Sequence, residues 1–139
     1  MTTHIFDGRC HCGNLSYVFK ATASLDELGL RACQCSFCRA HGTRTTSDPA
    51  GVVQLRIHDD SRLTRYRFGL KTADFLICTR CGVFIGAMFT EAERSWMTIN
   101  VNTFASPPLA HRLTPMNFAS EDTAARIARR KAKWTPVAP

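Results

Sequence analysis

The chain has 139 residues, of which 45% are hydrophobic and 21% charged, and its formal net charge is +7. This length suits one domain with its own core, and no stretch approaches the roughly 20 apolar residues that a membrane-spanning helix needs. The composition argues against a membrane protein and predicts a single soluble domain over residues 1–139.

Most of the chain is predicted to form short β-strands. Residues 14–21 alternate apolar and polar side chains, which is the pattern of a half-buried strand. The same alternation in residues 52–57 and 63–68, on either side of the polar segment 58–61, predicts a β-hairpin. Further strands are predicted at 75–77, 83–89 and 96–101, where β-branched and aromatic residues concentrate, and at 30–32, directly before the second cysteine cluster. The body of the protein is therefore predicted to be mainly β.

Two segments are predicted to be helical. Residues 24–28 begin with a serine and continue with acidic side chains, a pattern typical of one short, capped turn of helix. Residues 120–134 begin with acidic side chains and end with basic ones, as the helix dipole favours. The basic residues near the end of this segment are Arg129, Arg130, Lys131 and Lys133.

The C-terminal segment is expected to be a surface helix that packs one face onto a sheet. The residues that can form this face are Ala124, Ala125, Ile127, Ala128 and Trp134. The basic side chains are then interpreted as a solvated face. The alternative, an arm that binds nucleic acid, is disfavoured because few aromatic residues stand among the basic ones to stack on bases.

Seven cysteines fall into three clusters and carry the main functional signal. The clusters are Cys10-His11-Cys12, Cys33-Gln34-Cys35-Ser36-Phe37-Cys38 and Cys78-Thr79-Arg80-Cys81. Disulfides would leave one thiol unpaired, and the sequence does not open with the charged and apolar regions of a signal peptide. In a reducing compartment, cysteines at such short spacings are typical metal ligands. The pattern predicts a cytoplasmic protein that binds zinc.

The numbers of cysteines favour one closed zinc site and one open site. A structural zinc has four protein ligands, whereas a catalytic zinc keeps three and leaves one position for water or substrate. The first and third clusters each end in a glycine, Gly13 or Gly82, which permits the tight turn of a zinc knuckle. The predicted ligands of the structural zinc are Cys10, Cys12, Cys78 and Cys81.

The middle cluster brings three cysteines into one segment, between a predicted strand and a predicted loop. Cys33, Cys35 and Cys38 would form an open site, and its zinc is expected to be the more easily lost of the two. The alternative is that His41, three residues after the last cysteine, closes the site as a fourth ligand. His11 is a poorer candidate because the residues on both sides of it would be ligands.

An open site made of three thiolates favours a thiol substrate. The thiolates give a bound Zn²⁺ one net negative charge, which makes it a weak Lewis acid and a poor source of hydroxide. A substrate thiol, such as that of glutathione, would instead bind there as a thiolate. Arg31, Arg39 and Arg44 lie beside the cluster in sequence and are the predicted partners of the substrate carboxylates.

The order and spacing of these motifs resemble a known family. The segments Gly8-Arg9-Cys10-His11-Cys12-Gly13, Cys33-x-Cys35-x-x-Cys38-Arg39 and Cys78-x-x-Cys81-Gly82 are similar to motifs of the glutathione-dependent formaldehyde-activating enzymes, a family that includes centromere protein V. The resemblance spans about residues 4–104. It implies a β-tent fold of stacked antiparallel sheets, a structural zinc at the first and third clusters, and a catalytic zinc at the middle one.

The resemblance also implies an activity. The expected enzyme is a carbon–sulfur lyase that condenses glutathione with formaldehyde to S-hydroxymethylglutathione. Cys33, Cys35 and Cys38 would hold the catalytic zinc, and His41 or water would protonate the alkoxide that the addition produces. The alternative function is a zinc-stabilised module that binds a small molecule, a protein or nucleic acid without catalysis. The two are distinguished by whether His41 fills the fourth position.

Overall fold

The computed structural model describes residues 3–108 and 113–139 and is mainly β. The strands are β1 His4–Arg9, β2 Leu15–Ala21, β3 Leu30–Cys33, β4 Thr45–Thr46, β5 Val52–Ile57, β6 Leu63–Tyr66, β7 Asp74–Cys78, β8 Phe84–Glu91, β9 Arg94–Asn100, β10 Leu113–Met116 and β11 Thr135–Pro136. The α-helices are α1 Leu25–Leu28, α2 Ser36–His41 and α3 Thr123–Lys133. None of the helices in these two ranges is long and apolar enough to cross a membrane.

The strands form two sheets. A three-stranded sheet has the order β1-β2-β5, and a larger sheet has the order β10-β3-β4-β9-β8-β7-β6, with β11 also paired to β9. Neighbouring strands are antiparallel except β10 and β3, which run parallel. The predicted class, stacked antiparallel sheets with a C-terminal helix, is confirmed, and this one parallel pair is the exception.

The main core contains side chains from both sheets, and the alternation predicted for residues 14–21 is confirmed. The buried side chains of β2 are Leu15, Tyr17, Phe19 and Ala21. The fully buried side chains of the larger sheet in the same cluster include Leu76, Ile85, Met97 and Ile99. Removing one large apolar side chain of this kind from water contributes about 1.5–3 kcal/mol to stability. Strands with period-two alternation therefore supply the core.

The predicted hairpin between residues 52–57 and 63–68 is wrong, although both strands form. β5 pairs with β2 in the three-stranded sheet, whereas β6 pairs with β7 in the larger one. The backbone N–H of Asp59 donates a 2.9 Å hydrogen bond to Asn14 Oδ1, and a 3-10 turn over Asp60–Arg62 follows. The polar segment is thus anchored to the start of β2 and carries the chain from one sheet to the other.

Helix α3 packs on the larger sheet, as expected for the C-terminal segment. Ile127 contacts a small buried cluster that contains Phe89, Trp96 and Trp134. Asp122 caps the helix, and its carboxylate accepts a 2.8 Å hydrogen bond from a backbone N–H in the first turn. The helix is fixed both at its start and along one side.

The face that α3 buries differs from the prediction. The alanines expected on this face are exposed, namely Ala124, Ala125 and Ala128. Alanine offers little apolar area, so the larger side chains of Ile127 and Trp134 set the orientation of the helix. The arginines that are buried or half-buried beside them are Arg126, Arg129 and Arg130. Lys131 and Lys133 are exposed, so only part of the basic set forms the predicted solvated face.

Candidate active site

The first and third cysteine clusters meet where the two sheets come together. Cys10 and Cys12 lie in the turn between β1 and β2, Cys78 ends β7, and Cys81 lies in the turn before β8. The four sulfurs lie within 4.8 Å of one another. The structure thus brings together the four residues predicted to hold a structural zinc. The two pairs come from turns that are 66 or more residues apart in sequence.

The backbones of the two turns are built alike. In each turn, the first cysteine donates its N–H to the carbonyl five residues ahead, at 2.8 Å for Cys10 and 3.0 Å for Cys78. Gly13 and Gly82 have φ values of 85° and 78°. Glycine adopts such positive values without the strain that a side chain would introduce. Both glycines therefore have the role in tight turns that the sequence predicts.

The four-cysteine group fits a tetrahedral zinc ion. Zn–S bonds of about 2.3 Å place the sulfurs of a tetrahedral site about 3.8 Å apart. The Sγ of Cys12 lies 3.7 Å from that of Cys10 and 3.5 Å from that of Cys78. The Leu15 backbone N–H also donates to Cys10 Sγ at 3.3 Å. An all-sulfur donor set of this geometry is typical of zinc.

The middle cluster forms a second group, from the end of a strand and the start of a helix. Cys33 ends β3, Cys35 is the N-cap of α2, and Cys38 lies in the first turn of α2. Their sulfurs lie within 4.8 Å of one another. Hydrogen bonds from the thiols of Cys33 and Cys38 lower the pKa of Cys35, and the Cys38 backbone N–H donates to the same sulfur at 3.4 Å.

Helix α2 stands where the sequence predicts a loop. Cys35 takes the N-cap position, which serine, threonine, aspartate and asparagine usually occupy. Gly42 ends the helix with a φ of 60°, the left-handed conformation common after helix C-termini. Because Cys35 belongs to a metal-ligand motif, the sequence does not suggest it as a helix N-cap. Gly42, directly after His41, was the residue that could have indicated the end of a helix.

His41 lies at the end of α2, outside the group of three thiols. Its Nδ1 is 3.0 Å from the Phe37 carbonyl oxygen one turn earlier, and the two rings stack with centroids 4.2 Å apart. The side chain is exposed. Its ring nitrogens do not join the group of ligand atoms that lie within 4.8 Å of one another. The structure does not bring His41 to the position of a fourth ligand.

The three thiols border a cavity of about 260 Å³ between the larger sheet and α3. The thiols belong to Cys33, Cys35 and Cys38. The aromatic part of the lining is formed by Phe68, Phe75, Phe84, Phe118 and Trp134. The basic part is formed by Arg31, Arg126, Arg129 and Arg130. A small, partly apolar cavity with a few convergent polar groups is the usual form of a small-molecule site.

Two of these arginines face the cavity without an acidic partner among the described residues. Arg31 donates to two hydroxyl oxygens, at 2.6 and 3.3 Å. Arg130 donates to Thr72 Oγ1 at 2.5 Å, and its Nε has no hydrogen-bond partner. Burial, and then the charge of Arg129, lowers the pKa of both guanidinium groups, to about 10 for Arg130. The cavity is therefore a buried positive region.

Arg126 and Arg129 are paired instead. Glu121 accepts hydrogen bonds from Arg129 at 2.8 and 3.1 Å and from Arg126 at 3.3 Å. The bonds from Arg129 hold the pKa of Glu121 below its usual value. The Arg129 guanidinium also lies 3.6 Å over the ring of Phe118. These contacts fix residues 117–121 against α3 at one side of the cavity.

The other two arginines predicted to bind substrate lie elsewhere. Arg39 is exposed on α2, and it does not line the cavity. Arg44 donates from Nε to Asn102 Oδ1 at 2.7 Å and from Nη1 to the Pro108 carbonyl. Of the three predicted arginines, only Arg31 borders the cavity. Proximity in sequence was misleading because α2 turns the chain away from β3 directly after the cysteines.

The arginines of α3 are the site residues that sequence reasoning missed. Arg126 and Arg130 are four residues apart, and Arg126 and Arg129 three, so they share one side of a helix. Ile127 and Trp134, seven residues apart, stand next to Arg130 on the helix, and this shared periodicity was the available signal. The packing of α3 over the middle cluster is a long-range contact that the local pattern does not encode.

Known proteins resemble this chain in fold and in sequence. A crystal structure of a Rhodobacter sphaeroides protein is similar, with a TM-score of 0.54 and 26% sequence identity, covering 72% of this chain and 88% of that one. A comparison with curated proteins found no significant match. The family model described as glutathione-dependent formaldehyde-activating enzyme matches residues 5–119, which extends beyond the predicted 4–104 and includes β10. The chain belongs to the glutathione-dependent formaldehyde-activating enzyme family.

Proposed function

We propose that the protein condenses glutathione with formaldehyde to S-hydroxymethylglutathione, as a zinc-dependent carbon–sulfur lyase-type enzyme. The observation that carries the proposal is the position of Cys33, Cys35 and Cys38, which lie together and border a cavity with a basic lining. Membership of a family named for this reaction supports the choice of substrates. The proposed substrate partner is therefore a small thiol with negative charges.

The residues present fit two zinc ions with different roles. The four-cysteine group, whose sulfur spacing matches a tetrahedron, would hold a structural ion. Cys33, Cys35 and Cys38 would hold a second ion, and His41 does not join their group. A zinc ion held by three thiolates would accept a substrate thiol as a fourth ligand and keep it deprotonated.

The reaction is an addition without any redox change. The glutathione sulfur forms a bond with the formaldehyde carbon, and the carbonyl π electrons move to oxygen, which takes up one proton. The thiol has released one proton, so atoms and charge balance. We assign the proton taken up by oxygen to solvent rather than to His41, because His41 is not among the residues that line the cavity.

The chain itself contributes position and environment. Phe68, Phe75 and Phe84 line the cavity. The centroid of the Phe75 ring lies 4.7 Å from that of Phe68 and 5.6 Å from that of Phe84. Such a wall limits the access of water and holds the two reactants together, which converts a bimolecular encounter into a reaction of bound groups. Formaldehyde is small and reactive, so positioning is the main contribution that we propose.

The two alternative functions have less support. A binding module whose middle site is closed by His41 would require this side chain beside the three sulfurs, and it lies outside that group. A nucleic-acid module would require free basic side chains on α3. Arg126, Arg129 and Arg130 instead line the cavity, and the first two are paired with Glu121.

Zinc quantification followed by glutathione calorimetry and a formaldehyde-consumption assay tests the proposal. We expect two zinc ions per chain, glutathione binding, and consumption above the uncatalysed rate. Cys35→Ser should retain one zinc and lose both binding and activity. Ser36→Ala, at the neighbouring exposed position, is the matched control and should behave like the wild type. Glutathione binding by Cys35→Ser at wild-type affinity would refute the proposed site.

A further inference from the structure

We infer that Arg31 and Arg130 form a carboxylate-binding subsite in the cavity, which selects thiols that carry a negative charge. That the ligand carries a thiol rests on the proposed function. That it carries a carboxylate is argued from the arginines alone. Among the described residues that line the cavity there is no carboxylate. The ligand must therefore supply the missing negative charge.

One N–H group of the Arg130 side chain has no hydrogen-bond acceptor. The residue is 7% exposed, and its Nε is buried without a hydrogen-bond partner. Its guanidinium carbon lies 4.8 Å from the centroid of the Trp134 ring, and one terminal nitrogen donates to Thr72 Oγ1. These contacts hold the guanidinium group in place. A buried N–H without an acceptor is unfavourable, and a carboxylate oxygen would accept it.

Arg31 reaches the same cavity from strand β3. It stands two residues before Cys33, so the two side chains lie on the same face of the strand. Its guanidinium group donates to Ser47 Oγ and Thr98 Oγ1, which are both neutral. Arg130 lines the same cavity as Cys33. Both unpaired arginines thus border the same cavity as this thiol.

The charges around the cavity do not balance without a ligand. Four arginines line it, Glu121 pairs with two of them, and the three thiolates with their zinc would carry one negative charge, which leaves an excess of two positive charges. Buried like charges repel one another and lose hydration, so they are held at a cost unless an anion joins them. A planar oxyanion suits the fork of a guanidinium group. Because the three thiols border the same cavity, a carboxylate on a thiol compound satisfies both features.

Calorimetry on the zinc-loaded protein tests this subsite with small probes. We expect 3-mercaptopropionate to bind about tenfold or more tightly than 2-mercaptoethanol, which lacks the carboxylate. Arg130→Gln should weaken 3-mercaptopropionate and thiol-free propionate by about tenfold or more and change 2-mercaptoethanol by less than about twofold. Arg56→Gln removes the same charge from an exposed position on β5 and should change none of these affinities.

Three results would overturn the inference. The first is that the wild type binds both thiols with equal affinity. The second is that Arg130→Gln lowers the affinity for both thiols equally. The third is that inorganic phosphate binds more tightly than propionate. If neither thiol binds better than propionate while the dependence on Arg130 persists, the subsite stands and the proposed function fails.

If Arg130→Gln does not fold, a fluorescence measurement that leaves both arginines unchanged can still test the inference. In a Trp96→Phe variant, Trp134 is the remaining tryptophan of the chain. Its emission should change on addition of propionate, because the Arg130 guanidinium lies over its ring. Propionamide, the neutral analogue, should leave the emission unchanged. Equal responses to the two compounds would contradict the inference.

Discussion

At the scale of single residues, Gly8 has no room for a side chain. A Cβ atom there would lie 2.1 Å from the hydroxyl oxygen of Tyr17. This hydroxyl is held by a 2.6 Å hydrogen bond with Thr103 Oγ1, in a buried position. Gly8→Ala must displace the Tyr17 ring, and we expect it to lower the free energy of unfolding by about 1–3 kcal/mol, measured by chemical denaturation.

The same substitution in a Tyr17→Leu background provides the control. The shorter side chain removes the clash, so Gly8→Ala should be less destabilising there than in the wild type. The difference between the two effects measures the coupling of the two positions. If Gly8→Ala has the same effect in both backgrounds, the clash is not its cause.

Asp48 is expected to make stability depend on pH. It is buried, and its Oδ2 accepts hydrogen bonds from the backbone N–H and the hydroxyl of Thr22, at 2.6 and 2.7 Å. Burial raises the pKa of Asp48, but these hydrogen bonds and those from Ala50 and Gly51 outweigh it, so the pKa is lowered. A lowered folded-state pKa stabilises the protein above the unfolded-state value of about 3.9 and ceases to do so as pH falls through the folded-state value.

The measurement compares the free energy of unfolding of wild type and Asp48→Asn between pH 7 and pH 3. The wild type should lose stability below about pH 4, and the variant should lose less over the same window. Acid release of zinc affects both proteins alike, so it cancels in the difference. Parallel pH profiles for the two proteins would show that Asp48 is not the group responsible.

At the scale of secondary structure, α3 offers a direct comparison of two positions. Ile127 packs against the small aromatic cluster, whereas Ala125 is exposed on the opposite side of the helix. Ile127→Lys should lower the free energy of unfolding by about 1–3 kcal/mol, because it removes apolar packing and brings a charge to the sheet. Ala125→Lys should change it by less than about 0.5 kcal/mol. Thermal melts that rank the two variants in the reverse order would contradict the observed orientation of α3.

Local pattern predicted most of the strands but not their partners. The alternation of residues 14–21 and 52–57 depends only on neighbouring residues, and both strands form as predicted. The pairing of 52–57 with 63–68 was wrong because Asn14, distant in sequence, holds the intervening turn at Asp59. Strand β10 was not predicted, since its four residues include Pro115 and are mostly exposed.

The candidate site could be predicted only in part for a similar reason. Spacing identified all seven cysteines and the two groups that the structure brings together. Arg31, predicted from its nearness to the cluster in sequence, does border the cavity, because alternation on one strand places it on the face of Cys33. The arginines of α3 reach the cavity only through the packing of Ile127 and Trp134, which no local motif encodes.

At the scale of the whole molecule, the four-cysteine group joins the two sheets. A structural zinc contributes about 10 kcal/mol or more of apparent binding free energy, while a domain of this size has a net stability of about 5–15 kcal/mol. Cys81→Ser should therefore remove most of the folded protein, as measured by circular dichroism during heating. Cys35→Ser alters a group confined to residues 33–38 and should melt within a few degrees of the wild type. A soluble Cys81→Ser variant that melts cooperatively near the wild-type temperature would contradict the joining role.

X-ray absorption at the zinc edge, with and without glutathione, tests most directly whether the middle cluster binds a substrate thiol. Seven protein thiolates shared between two zinc ions predict about three and a half sulfur neighbours per zinc, and bound glutathione should raise this mean to about four. Cys35→Ser, with only the four-cysteine site filled, should stay at about four with or without glutathione. A sulfur count that glutathione leaves unchanged in the wild-type protein would contradict thiol binding at Cys33, Cys35 and Cys38.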